Sequence, residues 1–326
     1  MSLVTGLHHV SVLSGAPQET LDFYVGVLGM RLVKRTVNQD APEMYHLFFA
    51  DGAGTPGTEL TFFPWPGAPR GRPGAGLATE VALAVPAGTL DAWAARLAAH
   101  GVAAGPAEVR FGERALPFAD PHGLALALVE TADARDFTPW ADSPVPAAEQ
   151  VRGLHAVRLD EAAPEATARF LDAAFGWALA AEEGGWRRYA PAGPDGAPAL
   201  GGSGRVVDVR AAPAGAPRAL QAVGTVHHVA FRVADDAAEL AARARVRAAG
   251  GHPTEVIDRF WFRSVYFREP GGVLFELATD GPGFAVDEDP AALGTRLVLP
   301  PFLEARRAEI ERRLPPVTVP APQPAA

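Results

Sequence analysis

Four segments of this 326-residue chain repeat one order of secondary structure, and this repetition limits the available folds more than any other feature. Each segment opens with a short run of strand-forming residues and continues into a helical stretch that ends at a glycine. The strands are predicted at 7–13, 79–85, 154–159 and 226–233, and the glycines are Gly29, Gly101, Gly176 and Gly250. From the central valine of each strand to its glycine the distances are 19, 20, 19 and 21 residues. Such regular spacing predicts four copies of one structural module.

Further strand-like runs follow each glycine and complete the module. In the first copy they cover 30–37, 45–50 and 59–65, and in the fourth 254–260, 264–269 and 273–278. The unit is therefore β-α-β-β-β, and the predicted fold class is α+β.

The modules divide the chain into predicted parts. Modules 1 and 2 take residues 1–132, and modules 3 and 4 take 151–280. A stretch rich in proline, alanine and acids at 133–150 is predicted to be the linker between them. A C-terminal extension with a helix is expected at 281–314, and a disordered tail at 315–326.

Composition excludes several kinds of partner and site. The formal charge of −9 disfavours nucleic acid and anionic membranes, which bind clustered cationic charge. The absence of cysteine removes disulfides, thiolate metal sites and thiol nucleophiles, so a metal would need histidine and carboxylate ligands. No apolar run approaches the length of a membrane span, and no secretory signal is visible. We therefore expect a cytoplasmic protein, and a homo-oligomer stays open.

Paired histidines stand at the same place in two of the four opening strands, as His8-His9 and His227-His228. Strand alternation predicts that His8 and His227 face the helices, while His9 and His228 face the concave side of the sheet. Glu276 lies inside an apolar run, where a charge needs a cationic partner. A lone strand histidine is usually structural, but the repetition and the buried carboxylate favour a site with two histidines and one carboxylate. That ligand set suits non-haem Fe(II), with Mn(II) as the alternative ion.

These motifs carry a family resemblance. The modules, LHHVSV in the first strand, VHHVAF in the last module and FEL near its end resemble the glyoxalase/bleomycin-resistance/dioxygenase (vicinal oxygen chelate) superfamily. Within it, GLHHVSVLSG, LGMRLVKRTVNQD, YHLFFAD, PGTELTFFPWPG and GTVHHVAFR resemble ring-cleaving dioxygenases that act on hydroquinones. The resemblance implies that the modules form two cup-shaped half-barrels. It also implies the metal ligands His9, His228 and Glu276 and the catalytic residues Tyr266, Arg259 and His227, with no organic cofactor.

Superposition of the copies indicates which modules share a cup. In copy three the ligand position is Ala156, so modules 3 and 4 cannot complete a metal site, whereas copy one supplies His9. We therefore expect modules 1 and 4 to pair around the metal. Modules 2 and 3 should form a second cup that presents Glu80, Ala127, Ala156 and Asp208, without a histidine or a metal.

The function implied is an Fe(II)-dependent dioxygenase that inserts O₂ into a hydroquinone-type or catechol-type ring. The first alternative is a glyoxalase-type isomerase or lyase, which uses four protein ligands. Copy one has Thr61, a poor ligand, at the position of Glu276, but a two-residue shift in strand register would bring Glu59 there instead. The second alternative is a non-catalytic protein that binds small molecules. The expected partners are a small aromatic substrate and O₂.

Overall fold

The computed structural model describes residues 2–202 and 204–320, which form sixteen strands and five α-helices. The strands are β1 Gly6–Ser14, β2 Arg31–Asn38, β3 Ala41–Ala50, β4 Glu59–Pro64, β5 Leu77–Pro86, β6 Glu108–Arg110, β7 Glu113–Ala119, β8 Ala125–Thr131, β9 Leu154–Glu161, β10 Trp177–Glu183, β11 Trp186–Pro191, β12 Val206–Ala211, β13 Thr225–Val233, β14 Ile257–Asp258, β15 Arg263–Arg268 and β16 Leu274–Thr279. The α-helices are α1 Pro17–Leu21, α2 Leu90–Ala99, α3 Pro164–Phe170, α4 Asp236–Ala248 and α5 Arg307–Arg313. Wider π-helical turns extend α1 over Asp22–Val27 and α3 over Leu171–Phe175, and 3₁₀ turns occupy Phe284–Val286, Pro290–Ala292 and Pro301–Arg306.

The strands form two curled eight-stranded sheets, each built from two modules. The first sheet has the order β14-β15-β16-β13-β1-β4-β3-β2, and the second has β10-β11-β12-β9-β5-β8-β7-β6. Module 4 therefore pairs with module 1 through the antiparallel strands β13 and β1, and module 3 pairs with module 2 through β9 and β5. The predicted α+β fold of four modules in two half-barrels is confirmed, including the pairing of modules 1 and 4. Each half of the chain gives one module to each sheet, and the boundaries at 132 and 151 stay a prediction.

One predicted strand is much shorter than expected. The run 254–260 was expected to be extended, but β14 covers only Ile257–Asp258. The backbone N–H of Arg259 donates to the carbonyl of Phe262, which closes a turn. Phe260 has a φ of 74°, a left-handed conformation that cannot continue a strand. The chain therefore bends here and carries Trp261 and Phe262 into the first cup.

The C-terminal extension is anchored to the first sheet by a buried lysine. Lys34 on β2 donates to Asp287 Oδ1 at 2.8 Å, to the Phe284 carbonyl at 3.1 Å and to the Glu288 carboxylate. Its ammonium also lies 5.2 Å from the ring centroid of Trp261. Phe284 packs with Trp261 in one buried cluster. The extension thus supports the aromatic wall of the first cup from behind.

A buried carboxyl lies where the two sheets meet. Glu161, at the end of β9, has no hydrogen-bond partner for either oxygen among the described residues. The turn at Gly271 packs against it so closely that a Cβ atom there would lie 1.7 Å from its Oε2. Burial, followed by the negative charges of Glu269 and Asp160, raises the pKa of Glu161 to about 8. Glu161 is therefore protonated at neutral pH.

Two residues of the predicted tail contact the first module. Tyr45 donates to the Pro315 carbonyl at 3.0 Å, and Gln18 exchanges two hydrogen bonds of 2.8 Å with the backbone of Thr318. The disordered tail stays a prediction, and residues 321–326 lie outside the described part. Within the described part, none of the helices is both long and apolar enough to cross a lipid bilayer.

Candidate metal centre

Two imidazoles and one carboxylate converge in the first cup. The Nε2 atoms of His9 on β1 and His228 on β13 are 3.2 Å apart. Oε2 of Glu276 on β16 lies 3.3 Å from the first of these nitrogens and 2.9 Å from the second. All three side chains are buried. The structure thus brings together the three residues that the sequence predicts as ligands.

The spacing of these atoms fits a six-coordinate metal ion. Ligands at about 2.1 Å on neighbouring corners of an octahedron are about 3.0 Å apart, close to the three observed distances. Oε2 of Glu276 is buried and has no hydrogen-bond partner of good geometry among the described residues. A cation bound to all three atoms would satisfy that oxygen and leave three corners for other ligands.

The electrostatics of the cluster favour a charged carboxylate. Burial alone would raise the pKa of Glu276, but the positive charges of His9 and His228 in their protonated forms hold it well below its usual range. Burial lowers the pKa of His228. One anionic carboxylate and imidazole nitrogens with free lone pairs are the forms that bind a divalent metal.

Two β-bulges bring the neighbouring histidines to the same side. Between β1 and β13, the register slips once at His8 and once at His227. Nδ1 of His8 lies 3.0 Å from Nδ1 of His9, and Nδ1 of His227 lies 2.7 Å from Nδ1 of His228. The prediction that His8 and His227 face the helices is wrong, because a bulge interrupts the alternation of side chains. Each candidate ligand is instead held by the histidine before it.

Ser264 fixes the orientation of the carboxylate, and sequence reasoning missed it. Its hydroxyl donates to Oε1 of Glu276 at 2.5 Å, and both side chains are buried. The bond turns Oε2 towards the two imidazoles. The signal available in the sequence was its parity with Tyr266, two residues later on β15.

Tyr266 and Arg259 lie beside the cluster. Tyr266 pairs with Glu276 across β15 and β16, and its ring centroid is 5.6 Å from that of His228. Burial, then the charge of Glu276, raises the pKa of Tyr266, so its hydroxyl stays protonated. The Arg259 guanidinium lies 5.5 Å from the Tyr266 ring centroid and is held by Asp40 at 2.9 and 3.2 Å.

These groups open into a cavity of about 360 Å³. Its lining is mostly aromatic and includes the third predicted catalytic residue, His227. The lining residues are His9, Asn38, Gln39, Asp40, His46, Phe48, Phe63, His227, His228, Arg259, Trp261, Phe262, Tyr266 and Leu274. Its size and aromatic walls suit a single aromatic ring.

On the module 1 side, the register places Thr61 where module 4 has Glu276. Thr61 pairs with Ser11, and Glu59 pairs with His9 two residues earlier. The Glu59 carboxylate lies 3.7 Å from Nδ1 of His8. His8, His9 and Glu59 form a second compact group of ligand atoms, but His9 turns Nδ1 to His8 and Nε2 to His228. Burial raises the pKa of Glu59 well above its usual value.

The second cup contains a network of arginines and carboxylates. Asp208, which corresponds to Glu276, binds Arg188 through two hydrogen bonds of 2.8 and 3.1 Å. Arg188 also donates to Glu113 at 2.6 Å, and His155 Nε2 lies 3.0 Å from that carboxylate. The expectation of a cup without histidine is wrong, because the register also slips at His155. A guanidinium thus lies beside the carboxylate that corresponds to the candidate metal ligand.

Known proteins share both the sequence and the fold. Residues 6–128 and 154–277 match the family described as "Glyoxalase/Bleomycin resistance protein/Dioxygenase superfamily". The chain is 41% identical over 314 residues to "Putative ring-cleaving dioxygenase MhqO" of Bacillus subtilis, covering 96% of this chain and 97% of that protein. It is 35% identical over 318 residues to "Chlorohydroquinone/hydroquinone 1,2-dioxygenase" of Sphingobium indicum, covering 95% and 96%. A crystal structure of a "putative dioxygenase" from Bacillus subtilis superposes with a TM-score of 0.90 at 39% identity, covering 98% of this chain and 99% of that one.

Proposed function

Because the chain belongs to the Glyoxalase/Bleomycin resistance protein/Dioxygenase superfamily, we propose that it is an Fe(II)-dependent dioxygenase that cleaves a hydroquinone-type ring. His9, His228 and Glu276 would hold the metal, and His227, Arg259 and Tyr266 would act on the substrate. The substrates are a small dihydroxylated aromatic compound and O₂. Cytoplasmic location and homo-oligomer formation stay predictions from the sequence.

One observation carries the proposal. Three ligand atoms lie 2.9 to 3.3 Å apart at the wall of an aromatic cavity large enough for one ring. Three protein ligands leave open positions for a phenolic oxygen and for dioxygen. The glyoxalase-type alternative needs a fourth protein ligand, but Thr61 holds the position of Glu276, and Glu59 lies two residues earlier, beside Nδ1 of His8.

The protein's own side chains would bind and orient the ring. Aromatic residues such as Phe63 and Phe262 would pack against it and exclude water. Tyr266, which stays protonated, would donate a hydrogen bond to an oxygen that gains negative charge. Burial and then the charge of His228 lower the pKa of His227 to about 3, so this imidazole is uncharged and can accept a hydrogen bond from a substrate hydroxyl.

Arg259 would add a fixed positive charge beside Tyr266. When bound, a ferrous ion supplies Lewis acidity towards a phenolic oxygen and the one-electron chemistry that dioxygen requires. Mn(II) has the same preference for these ligand types, so the metal is a separate point to be tested.

The experiment combines metal analysis with oxygen uptake. Anaerobically prepared protein should bind one Fe(II) per chain and consume O₂ with hydroquinone, and His9→Ala should lose both properties. Reconstitution with Mn(II) in parallel tests the metal. Glu43→Gln, an exposed change on β3, is the control and should keep both properties. Full metal occupancy in His9→Ala, or isomerisation of a hemithioacetal without oxygen uptake, would refute the proposal.

A further inference from the structure

His46 lies in the wall of the cavity, on β3 of module 1, away from the two histidine pairs. Its imidazole stands between two aromatic rings, with centroid distances of 3.9 Å to Phe48 and 4.2 Å to Phe63. The Phe63 ring centroid also lies 6.4 Å from that of His228. The imidazole of His46 is therefore packed against two rings, one of which also lies near the candidate ligand His228.

A chain of hydroxyls fixes the rotation of this imidazole. Nε2 of His46 lies 3.0 Å from Oγ1 of Thr61, which lies 2.6 Å from Oγ of Ser11. Thr61 and Ser11 are both fully buried. In the part of the chain that the structure describes, Nδ1 of His46 has no hydrogen-bond partner. One nitrogen is thus committed to the protein, and the other is available to a ligand.

Several other polar groups around the cavity are paired within the protein. Asp40 binds Arg259, and its backbone N–H donates to Asn38. Gln39 donates to the Arg259 carbonyl at 2.8 Å. His8 pairs with His9 and His227 with His228 through their Nδ1 atoms. His227 Nε2 and the Tyr266 hydroxyl also lack a partner of good geometry among the described residues, but the proposed function assigns them to the oxygen at the metal ligands. Nδ1 of His46 is unpaired on the module 1 side of the cavity, where Phe48 and Phe63 flank the imidazole.

We propose that His46 is a specificity-determining residue whose Nδ1 hydrogen-bonds the ring hydroxyl that does not approach the metal ligands. The proposal rests on the proposed function, because it assumes a dihydroxylated ring with one oxygen directed at His9, His228 and Glu276. A hydroquinone carries its second hydroxyl at the far end of the ring, and an aromatic wall alone would leave that hydroxyl without a partner. A monophenol has no group for His46 to bind, so the residue would select diols over phenols.

Burial is consistent with this role. It lowers the pKa of His46 well below its ordinary value, with the charges of His9 and His228 acting in the same direction. A neutral imidazole has one N–H and one lone pair, and either can bond a hydroxyl.

The test is equilibrium binding under anaerobic conditions, where turnover cannot occur. The dissociation constants of hydroquinone and phenol are measured for metal-loaded wild type, His46→Phe, His46→Asn and the exposed control Glu43→Gln. His46→Phe keeps a ring between Phe48 and Phe63, whereas His46→Asn keeps a polar atom close to the position of Nδ1. Loss of one neutral hydrogen bond should weaken hydroquinone binding about tenfold in His46→Phe. Phenol binding and metal content should not change.

The outcomes separate this inference from the proposed function. His46→Asn should recover part of the preference for hydroquinone, and Glu43→Gln should keep all of it. If His46→Phe binds hydroquinone and phenol equally more weakly, or keeps the wild-type preference for hydroquinone, the role of His46 is overturned and the proposed function is not. Wild-type protein that holds its metal and binds neither ligand would overturn the proposed function as well. If His46→Phe does not fold, His46→Leu, which also lacks a polar atom, takes its place in the comparison with the control, and an unchanged preference for hydroquinone in that variant overturns the inference.

Discussion

Removal of the Ser264 hydroxyl should weaken metal binding without altering any ligand. The hydroxyl donates to Oε1 of Glu276 at 2.5 Å in a fully buried setting. A hydrogen bond to a charged group contributes about 1.5 to 3 kcal/mol, because the buried oxygen has no water to replace the lost donor. In Ser264→Ala the carboxylate would have to be oriented by the metal itself. We expect the dissociation constant for Fe(II) to rise about 10- to 100-fold, as is typical of groups that orient a ligand.

The assay is an anaerobic competition between the protein and a chelator of known affinity. Ser14→Ala is the matched control, because Ser14 is also a fully buried serine of the first sheet, but its hydroxyl bonds to Thr20. Both variants should unfold cooperatively, and Ser14→Ala should keep wild-type metal affinity. Equal affinity in Ser264→Ala and wild type would refute the role assigned to the hydroxyl. Equal weakening in both variants would show a general loss of packing instead.

Three further predictions concern a residue of the substrate pocket, the extension and the contact between the sheets. Tyr266→Phe should keep its iron and lose about 100- to 1,000-fold in turnover with hydroquinone, because one oriented donor is removed; a variant that loses iron would contradict this role. Lys34→Met should lower the free energy of unfolding in urea by about 3 to 5 kcal/mol, since it leaves the buried Glu288 with only a long ion pair of 3.9 Å to Arg296; a loss below about 1 kcal/mol would contradict the anchoring role. Glu161 binds its proton in the folded protein up to a pKa of about 8, against 4.5 in the unfolded chain. The free energy of unfolding of wild type therefore falls as the pH rises from 4.5 to 8. Glu161→Gln should be as stable as wild type below pH 4.5, and above it should become more stable than wild type by about 1.4 kcal/mol per pH unit up to pH 8. Parallel stability curves for the two proteins would contradict the raised pKa.

The modules and the candidate ligands could be predicted from the sequence because a repeat can be read by comparing the chain with itself. Alanine at 156 excluded one pairing of modules, and His9 supplied the other. Distances could not be predicted. Glu276 was indicated by its place inside an apolar run and by the family resemblance, and β16 shows no bulge that would turn its side chain.

Alternation failed where the backbone departs from a regular ladder. The bulges at His8, His227 and His155 insert one residue each and turn side chains that strict alternation places elsewhere. The sequence motif His-His-Val does not indicate whether its strand contains a β-bulge. Phe260 has a left-handed conformation that its residue type does not signal.

Contacts between segments far apart in the chain also could not be predicted from the sequence. Lys34 is separated by more than 250 residues from the carboxylates that bind it. The sequence does not indicate that Arg188 pairs with Asp208. Only the fold shows that this ion pair lies at the position that corresponds to the candidate metal ligand Glu276. His46 lies in the stretch YHLFFAD, but the sequence gives this residue no role, and its proposed role depends on Thr61 on the neighbouring strand.

The pairing of the first module with the last has a consequence for how the chain assembles during synthesis. His9 and His228 are 219 residues apart, so at roughly 5 to 20 residues per second β1 waits roughly 10 to 40 s for β13. During that time the edge of β1 that later pairs with β13 has unpaired backbone N–H and C=O groups, which could pair with another strand. The strands β5 and β9 are complete much sooner, and Arg188 neutralises the carboxylates of that cup from within the chain. We therefore expect the second sheet to form first and to need no ion. The first sheet, with the candidate metal ligands, would then form against it once β13 to β16 have been synthesised.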